Sequence, residues 1–437
     1  MSKTPAAHCL QHRRRAACAA PLLVACTLIS SAASAGGLYS YEVGTSDVGL
    51  ASAGYGARAQ DASTILTNVA GMTRLDGEQF LVGAQALYGS VQFSTSSASR
   101  GLGSDNGGNA VGWFPGASGF YSYSVSHDVK LGVGVASTFG AALKYDDNWV
   151  GRYHLQNATL LGVSILPSAA YRLNDKWSVG VSLNVMPSIL QEKVAINTLG
   201  GPDGQMSYKD SKVGWGGNFG LLYEFSPDTR VGLTYNTQVK LDYSNQPTFT
   251  NLGVIAQLLV NRRLSGTNLN LNLTLPQQTM LSGFHQLNDR LALLASVGWQ
   301  QWAKFGDVEI GVDSNNPQSL TTSIPFKNTW HFAAGAQYKL SAPWTLNAGI
   351  SYDTKYQSGN VSVILPTNDA WRFGLGADNQ LSKTTSWGLY TEYLYGGSPT
   401  VNVQGTVPVA LGGRGTFSGT YNNENIIYLG AYLTSRF

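Results

Sequence analysis

Beyond residue 35 the chain carries four histidines, His127, His154, His285 and His331, and no two stand at a metal-ligand spacing. His127 and His285 fall at or near turns and read as solvated. No Gly-x-Ser-x-Gly elbow occurs to present a nucleophile. Gly132-Val-Gly134-Val-Ala-Ser resembles part of a dinucleotide loop, but it lies inside an alternating apolar run, where a phosphate-binding turn cannot form. The three cysteines, Cys9, Cys18 and Cys26, all precede residue 36, which leaves no thiolate, disulfide or cysteine nucleophile in the rest. An enzyme, a cofactor and a metal are therefore not expected.

Residues suited to binding are easier to find. In Asn251 to Leu264, the apolar side chains Leu252, Ile255 and Leu259 recur at helical spacing, with Arg262 and Arg263 towards the C-terminal end. Such a helix suits capture of a greasy ligand; the alternative is a helix packed on neighbouring loops, its arginines meeting anionic lipopolysaccharide. Arg152, in Gly151-Arg-Tyr153, is a candidate partner for a carboxylate or else a solvated charge. Gly132, Gly134 and Ala136 form a strand face without bulk, suited to a kink or to a close backbone approach.

The elements that must position these residues follow from composition. Of 437 residues, 51 are Gly, 22 Tyr and 10 Trp, and only 12% are charged, about half the roughly 25% usual in soluble domains. That is too little charge for a soluble surface and too many aromatics for disorder. No run of about 18 or more apolar residues exists, so no helix is expected to span a membrane. An outer-membrane β-barrel has this composition.

Lys3 and Arg13 to Arg15, the apolar run Ala16–Ile29 and the small-residue site ending at Ala35 read as a signal peptide over residues 1–35. A rival reading takes Leu23-Val-Ala-Cys26 as a lipobox acylated at Cys26. Removing the leader leaves 24 basic against 25 acidic residues, a net charge of −1, so the apparent basicity implies no nucleic-acid partner.

From residue 77 the pattern has period two. In Trp177 to Val185 the odd positions are Trp, Val, Val, Leu and Val, the even ones Ser, Gly, Ser and Asn. The large face is expected to meet lipid and the small polar face a lumen. Fourteen strands are expected, near 78–93, 116–126, 129–139, 158–173, 176–194, 212–226, 229–243, 267–287, 290–311, 325–340, 343–356, 369–382, 385–404 and 423–437. Six tight turns alternate with seven long loops, as in a closed all-β, antiparallel transmembrane barrel. The barrel is assigned to residues 77–437. The final strand ends in Phe437, as an outer-membrane assembly signal does. Residues 36–76 lack alternation and are rich in Ala and Gly; they are assigned to a compact N-terminal hatch, or plug, inside the lumen.

The run Asp61-Ala-Ser-Thr-Ile-Leu-Thr-Asn68-Val69-Ala70-Gly71-Met72 resembles the plug motif of the FadL/TodX family of outer-membrane transporters, Val69 standing where that family has Pro. Gly151-Arg-Tyr153, Pro167-Ser-Ala-Ala-Tyr171, Pro276-Gln277, Gly349-Ile-Ser-Tyr-Asp353 and Leu365-Pro-Thr-Asn-Asp-Ala-Trp-Arg372 are similar in the same order. The resemblance implies a monomeric fourteen-stranded barrel with a hatch in a Gram-negative outer membrane. It implies passive passage of long-chain fatty acids or related hydrocarbons, with lateral exit at the third strand (Gly132, Gly134, Ala136). Aromatic-hydrocarbon uptake is the alternative, ahead of a polar porin or a surface adhesin. The partners implied are the apolar ligand, outer-membrane lipid and lipopolysaccharide, and the barrel-assembly machinery at Phe437.

Overall fold

The computed structural model describes residues 38–96, 99, 102–198, 201–263, 268–306, 309–310, 321–322, 324–405 and 413–437. The expected leader, with its alternative ends at Ala35 and Cys26, lies outside the described residues.

Fourteen strands form one closed ring: β1 (Glu78–Ser90), β2 (Gly112–Ser124), β3 (Val129–Lys144), β4 (Asn157–Arg172), β5 (Trp177–Ile196), β6 (Gly204–Ser226), β7 (Thr229–Asn236), β8 (Gln278–Gln286), β9 (Leu291–Gln300), β10 (Thr329–Ser341), β11 (Trp344–Asp353), β12 (Ala370–Gln380), β13 (Thr385–Gly397) and β14 (Glu424–Arg436). Each pairs antiparallel with the next, and β1 closes on β14 with Val82 opposite Leu433. Closure leaves no sheet edge in lipid, where an unpaired amide would cost several kcal/mol. The expected faces hold. In β5, Val181 and Leu183 are each 47% exposed while Ser182 is 1% and Asn184 4% exposed.

Four expected strands are cut short or interrupted, among them 290–311, which ends at Gln300 before a helical turn at Trp302–Lys304. The segments 229–243 and 267–287 do not run unbroken: β7 stops at Asn236 and β8 starts at Gln278. Between them Val239–Asn245 pairs only with Leu269–Leu275, outside the ring. Pro276 offers no amide to a ladder. The hairpin also buries one whole face, including Leu241, Tyr243, Leu271 and Leu273. Apolar side chains need no protein cover on a lipid-facing wall; here they turn in and lean on β6, where Gly214 makes room for Val239. The segment 385–404 divides at Gly397, which has φ 72°, and Thr400–Val403 joins a rim sheet with Phe417–Tyr421 and Phe93–Thr95. The connection expected over 195–211 is shorter, because β5 and β6 stay paired as far as Ile196 opposite Gly204. A helix forms at Val254–Arg263, within the expected helical stretch.

Candidate functional site

Residues 38–76 fold as turns around short helices at Val48–Leu50, Thr64–Thr67 and Val69–Arg74. Arg58 organises the segment, with Nε 2.9 Å from Asp47 Oδ1 and Nη1 2.8 Å from Asp61 Oδ2. Asn68 Oδ1 accepts from the Ala70 amide at 3.1 Å, and its Nδ2 donates to the carbonyls of Gly56 (2.7 Å) and Leu221 (3.1 Å). Val69 is the first residue of its helix, where an amide has no intrahelical partner, so exchanging proline for valine costs no hydrogen bond. At Gly71 a methyl would lie 2.8 Å from Ala59 Cβ, and Met72 is fully buried.

This segment bonds to strands far apart in the ring. The Gly56 amide donates to Ser282 Oγ in β8 (3.0 Å), Thr73 Oγ1 to Ser178 Oγ in β5 (2.8 Å) and Gln60 Nε2 to Gln337 Oε1 in β10 (2.8 Å). Arg230 Nε in β7 donates to the Ala57 carbonyl at 2.6 Å. Wall glycines take its backbone: methyls on Gly83, Gly232 and Gly349 would overlap the carbonyl oxygens of Gly44, Gly56 and Leu50. At Gly132 a methyl would lie 2.8 Å from both Ile65 Cδ1 and Met72 Sδ, and at Gly134 it would lie 2.8 Å from Phe120 Cδ1 and 3.0 Å from Ile65 Cγ2. Ala136 is fully buried.

The wall beside those glycines is incompletely paired. The β2–β3 ladder ends at Ser118 opposite Ala136, although both strands continue. Beyond it β3 shifts register between Ser137 and Phe139, and Pro115 in β2 has no amide to give. Leu38 to Ser40 take the vacated place on β3. The Ser40 amide donates to the Thr138 carbonyl (2.9 Å) and the Gly140 amide to the Leu38 carbonyl (2.7 Å).

Two voids meet this region. One is lined by Leu38, Ala141, Leu143, Ala158, Leu160, Leu190, Leu271, Leu273, Ile364 and Leu365, with Glu192 its ionisable group among the described residues. The other lies between the N-terminal segment and β3–β9, and Thr138, Ser164, Asn184, Asn218, Thr234 and Gln278 make it polar. An apolar guest gains about 25 cal/mol for each Å² buried in the first. In the second it would separate polar groups from their partners. The N-terminal residue Leu38 lines the apolar void and also sits at the wall gap.

Arg152 is placed at the loops, where its Nε lies 2.6 Å from Asp203 Oδ2 and its Nη1 donates to the Leu102 carbonyl at 2.9 Å. Burial alone would lower its pKa, but Asp203 and Tyr153 outweigh burial and hold it above the ordinary value. Its charge is thus matched within the protein. Leu252 is half-buried against the core. The side chains of Ile255, Leu259 and Arg262 lie outside the described residues.

A buried charge cluster escaped the sequence reading. Glu42, Asp353, Arg372, Glu392 and His331 meet between the N-terminal segment and β10–β13. Its one signal was charge at small-face positions in a chain otherwise poor in charge, as at Arg372 between Ala370 and Gly374.

A family model described as outer membrane protein transport protein (OMPP1/FadL/TodX) matches residues 26–437. The long-chain fatty acid transport protein of Escherichia coli O6:H1 is 27% identical over 407 residues, covering 86% of this chain and 90% of that protein. Outer membrane protein P1 of Haemophilus influenzae is 28% identical over 417 residues, covering 86% and 89%. Among solved structures, a Pseudomonas aeruginosa FadL homologue superposes with a TM-score of 0.79 at 19% identity, covering 92% of this chain and all of that one. The Pseudomonas putida toluene transporter TodX has a TM-score of 0.64 at 16% identity, covering 90% and 99%.

Proposed function

We propose that this chain, which belongs to the OMPP1/FadL/TodX family of outer-membrane transport proteins, passes long-chain fatty acids or related hydrocarbons across the outer membrane of a Gram-negative bacterium by diffusion. The observation that carries this reading is the leucine-lined void whose wall includes Leu38, beside the unpaired stretch between β2 and β3. The N-terminal segment acts as a hatch, since its backbone seats on wall glycines around the ring. A ligand is captured at the extracellular loops, rests in the apolar void and leaves sideways into lipid through the gap between β2 and β3, just past the Gly132–Ala136 run. Release into the aqueous periplasm would re-expose each CH₂ at about 0.8 kcal/mol, on the order of 12 kcal/mol for a sixteen-carbon chain. The sideways route avoids that cost. The barrel works as a monomer without cofactor or catalytic step, and Phe437, 78% exposed at the chain end, offers the assembly machinery its signal.

The family relatives named for fatty acids favour that ligand, and the toluene transporters of the same fold keep aromatic hydrocarbons as a second reading. Purified protein in liposomes should admit labelled oleate or an alkylbenzene and fail to swell vesicles in sugars. Sugar-driven swelling without hydrocarbon uptake would mark a polar porin instead.

A further inference from the structure

We propose that Arg372 is a positioning residue for release: through Glu42 it holds Leu38 to Ser40 across the wall gap, and ligand exit requires that pair to separate. The inference rests on the lateral-exit reading above. Glu42 stands two residues from Ser40, and the two are coupled twice. The chain between them is short, and Ser40 Oγ donates to Glu42 Oε2 at 2.7 Å while the Ser40 amide holds the Thr138 carbonyl. The other oxygen, Glu42 Oε1, pairs with Arg372 Nη1, with both side chains buried. Gln85 Nε2 in β1 fixes the Glu42 carbonyl at 2.7 Å. From Thr138 to Arg372, one polar chain links the gap to the far wall.

The cluster is built so that one member can leave. Arg372 Nε lies 2.6 Å from Asp353 Oδ2 and its Nη1 3.3 Å from Glu392 Oε1, both carried on wall strands. The other Asp353 oxygen is 2.7 Å from His331 Nδ1. When Glu42 departs, the guanidinium still has two carboxylates and is not left as an unpaired buried charge, the outcome that makes broken buried pairs so costly. Glu42 alone comes from the N-terminal segment. The wall strands keep the cation, and the segment supplies the detachable anion.

The test uses Leu38→Cys as a reporter, since Leu38 is 1% exposed and the chain beyond residue 35 has no other cysteine. Maleimide labelling is followed in purified, folded barrels, with oleate uptake measured in parallel. Glu42→Gln keeps the shape and removes the charge; labelling should accelerate by about tenfold, well short of what an unpaired buried charge would give, because Asp353 and Glu392 still match the guanidinium. Arg372→Met should do the same and Arg372→Lys should restore protection. Asp203→Asn, which breaks an ion pair outside the segment, should leave the Leu38→Cys rate unchanged. Unchanged labelling in Glu42→Gln barrels that migrate as folded would overturn the assignment. Uptake should rise with labelling; faster labelling with unaltered uptake would overturn the role in release, whereas no oleate uptake by the wild-type barrel would overturn the transport reading itself, so the two fail separately.

Discussion

Replacing Gly232 by Ala tests whether the wall glycines seat the N-terminal segment. The added methyl would overlap the Gly56 carbonyl oxygen and lie 2.8 Å from Asn68 Nδ2. The Gly56 carbonyl accepts from that same Nδ2 at 2.7 Å, and the Gly56 amide donates to Ser282 Oγ at 3.0 Å. Crowding a packed site costs about 1–3 kcal/mol, and each displaced hydrogen bond about 1 kcal/mol more. The sum, about 3–5 kcal/mol, falls on the segment because Gly232 keeps its ladder to β6 and β8. A penalty of 3 kcal/mol moves a seated-to-unseated equilibrium by about two powers of ten. Gly283→Ala is the control: the residue lies in β8 with nothing within 4 Å of an added methyl. In planar bilayers Gly232→Ala should show frequent large openings, while wild type and Gly283→Ala stay closed, all three migrating as folded barrels. A Gly232→Ala barrel as closed as wild type would show that the segment does not depend on this contact.

Deleting residues 36–72 should give a large steady conductance; a deletion as closed as the parent would rule the segment out as the obstruction. Gly134→Leu should slow oleate or toluene uptake without preventing assembly, because its side chain would meet Phe120 and Ile65; wild-type uptake by a folded variant would remove the third strand from the route. The control for that experiment is Gly283→Leu, which has open space in β8, far from the third strand. Arg152→Gln should weaken oleate and alkylbenzene uptake equally, since Arg152 is engaged with Asp203 and Leu102; a loss confined to oleate would make it a carboxylate partner.

Much of the site was legible only as types of residue. Asn68, Gly71 and Met72 stood out by their motif, and Gly132 and Gly134 by an alternating strand with no bulk on one face. What those small residues accommodate was not readable, because Ile65 and Met72 lie some sixty residues away along the chain. The run Leu269–Leu275 reads as wall by its alternation, yet it turns inward. Period two reports that one face is apolar and is silent on whether lipid or leucine covers it. The pair Glu42–Arg372 has no local sign of partnership at all.

By itself the sequence determined the strand number, the faces of the strands and the short and long rims, because side-chain alternation and turn chemistry act within a few residues. The tertiary structure alone decided where the β2–β3 ladder stops, which glycines receive a backbone and which arginine holds Glu42. Ring closure sets those: it brings residues hundreds of positions apart into contact, and only there do packing volume and buried charge choose among the pairings that a local pattern permits.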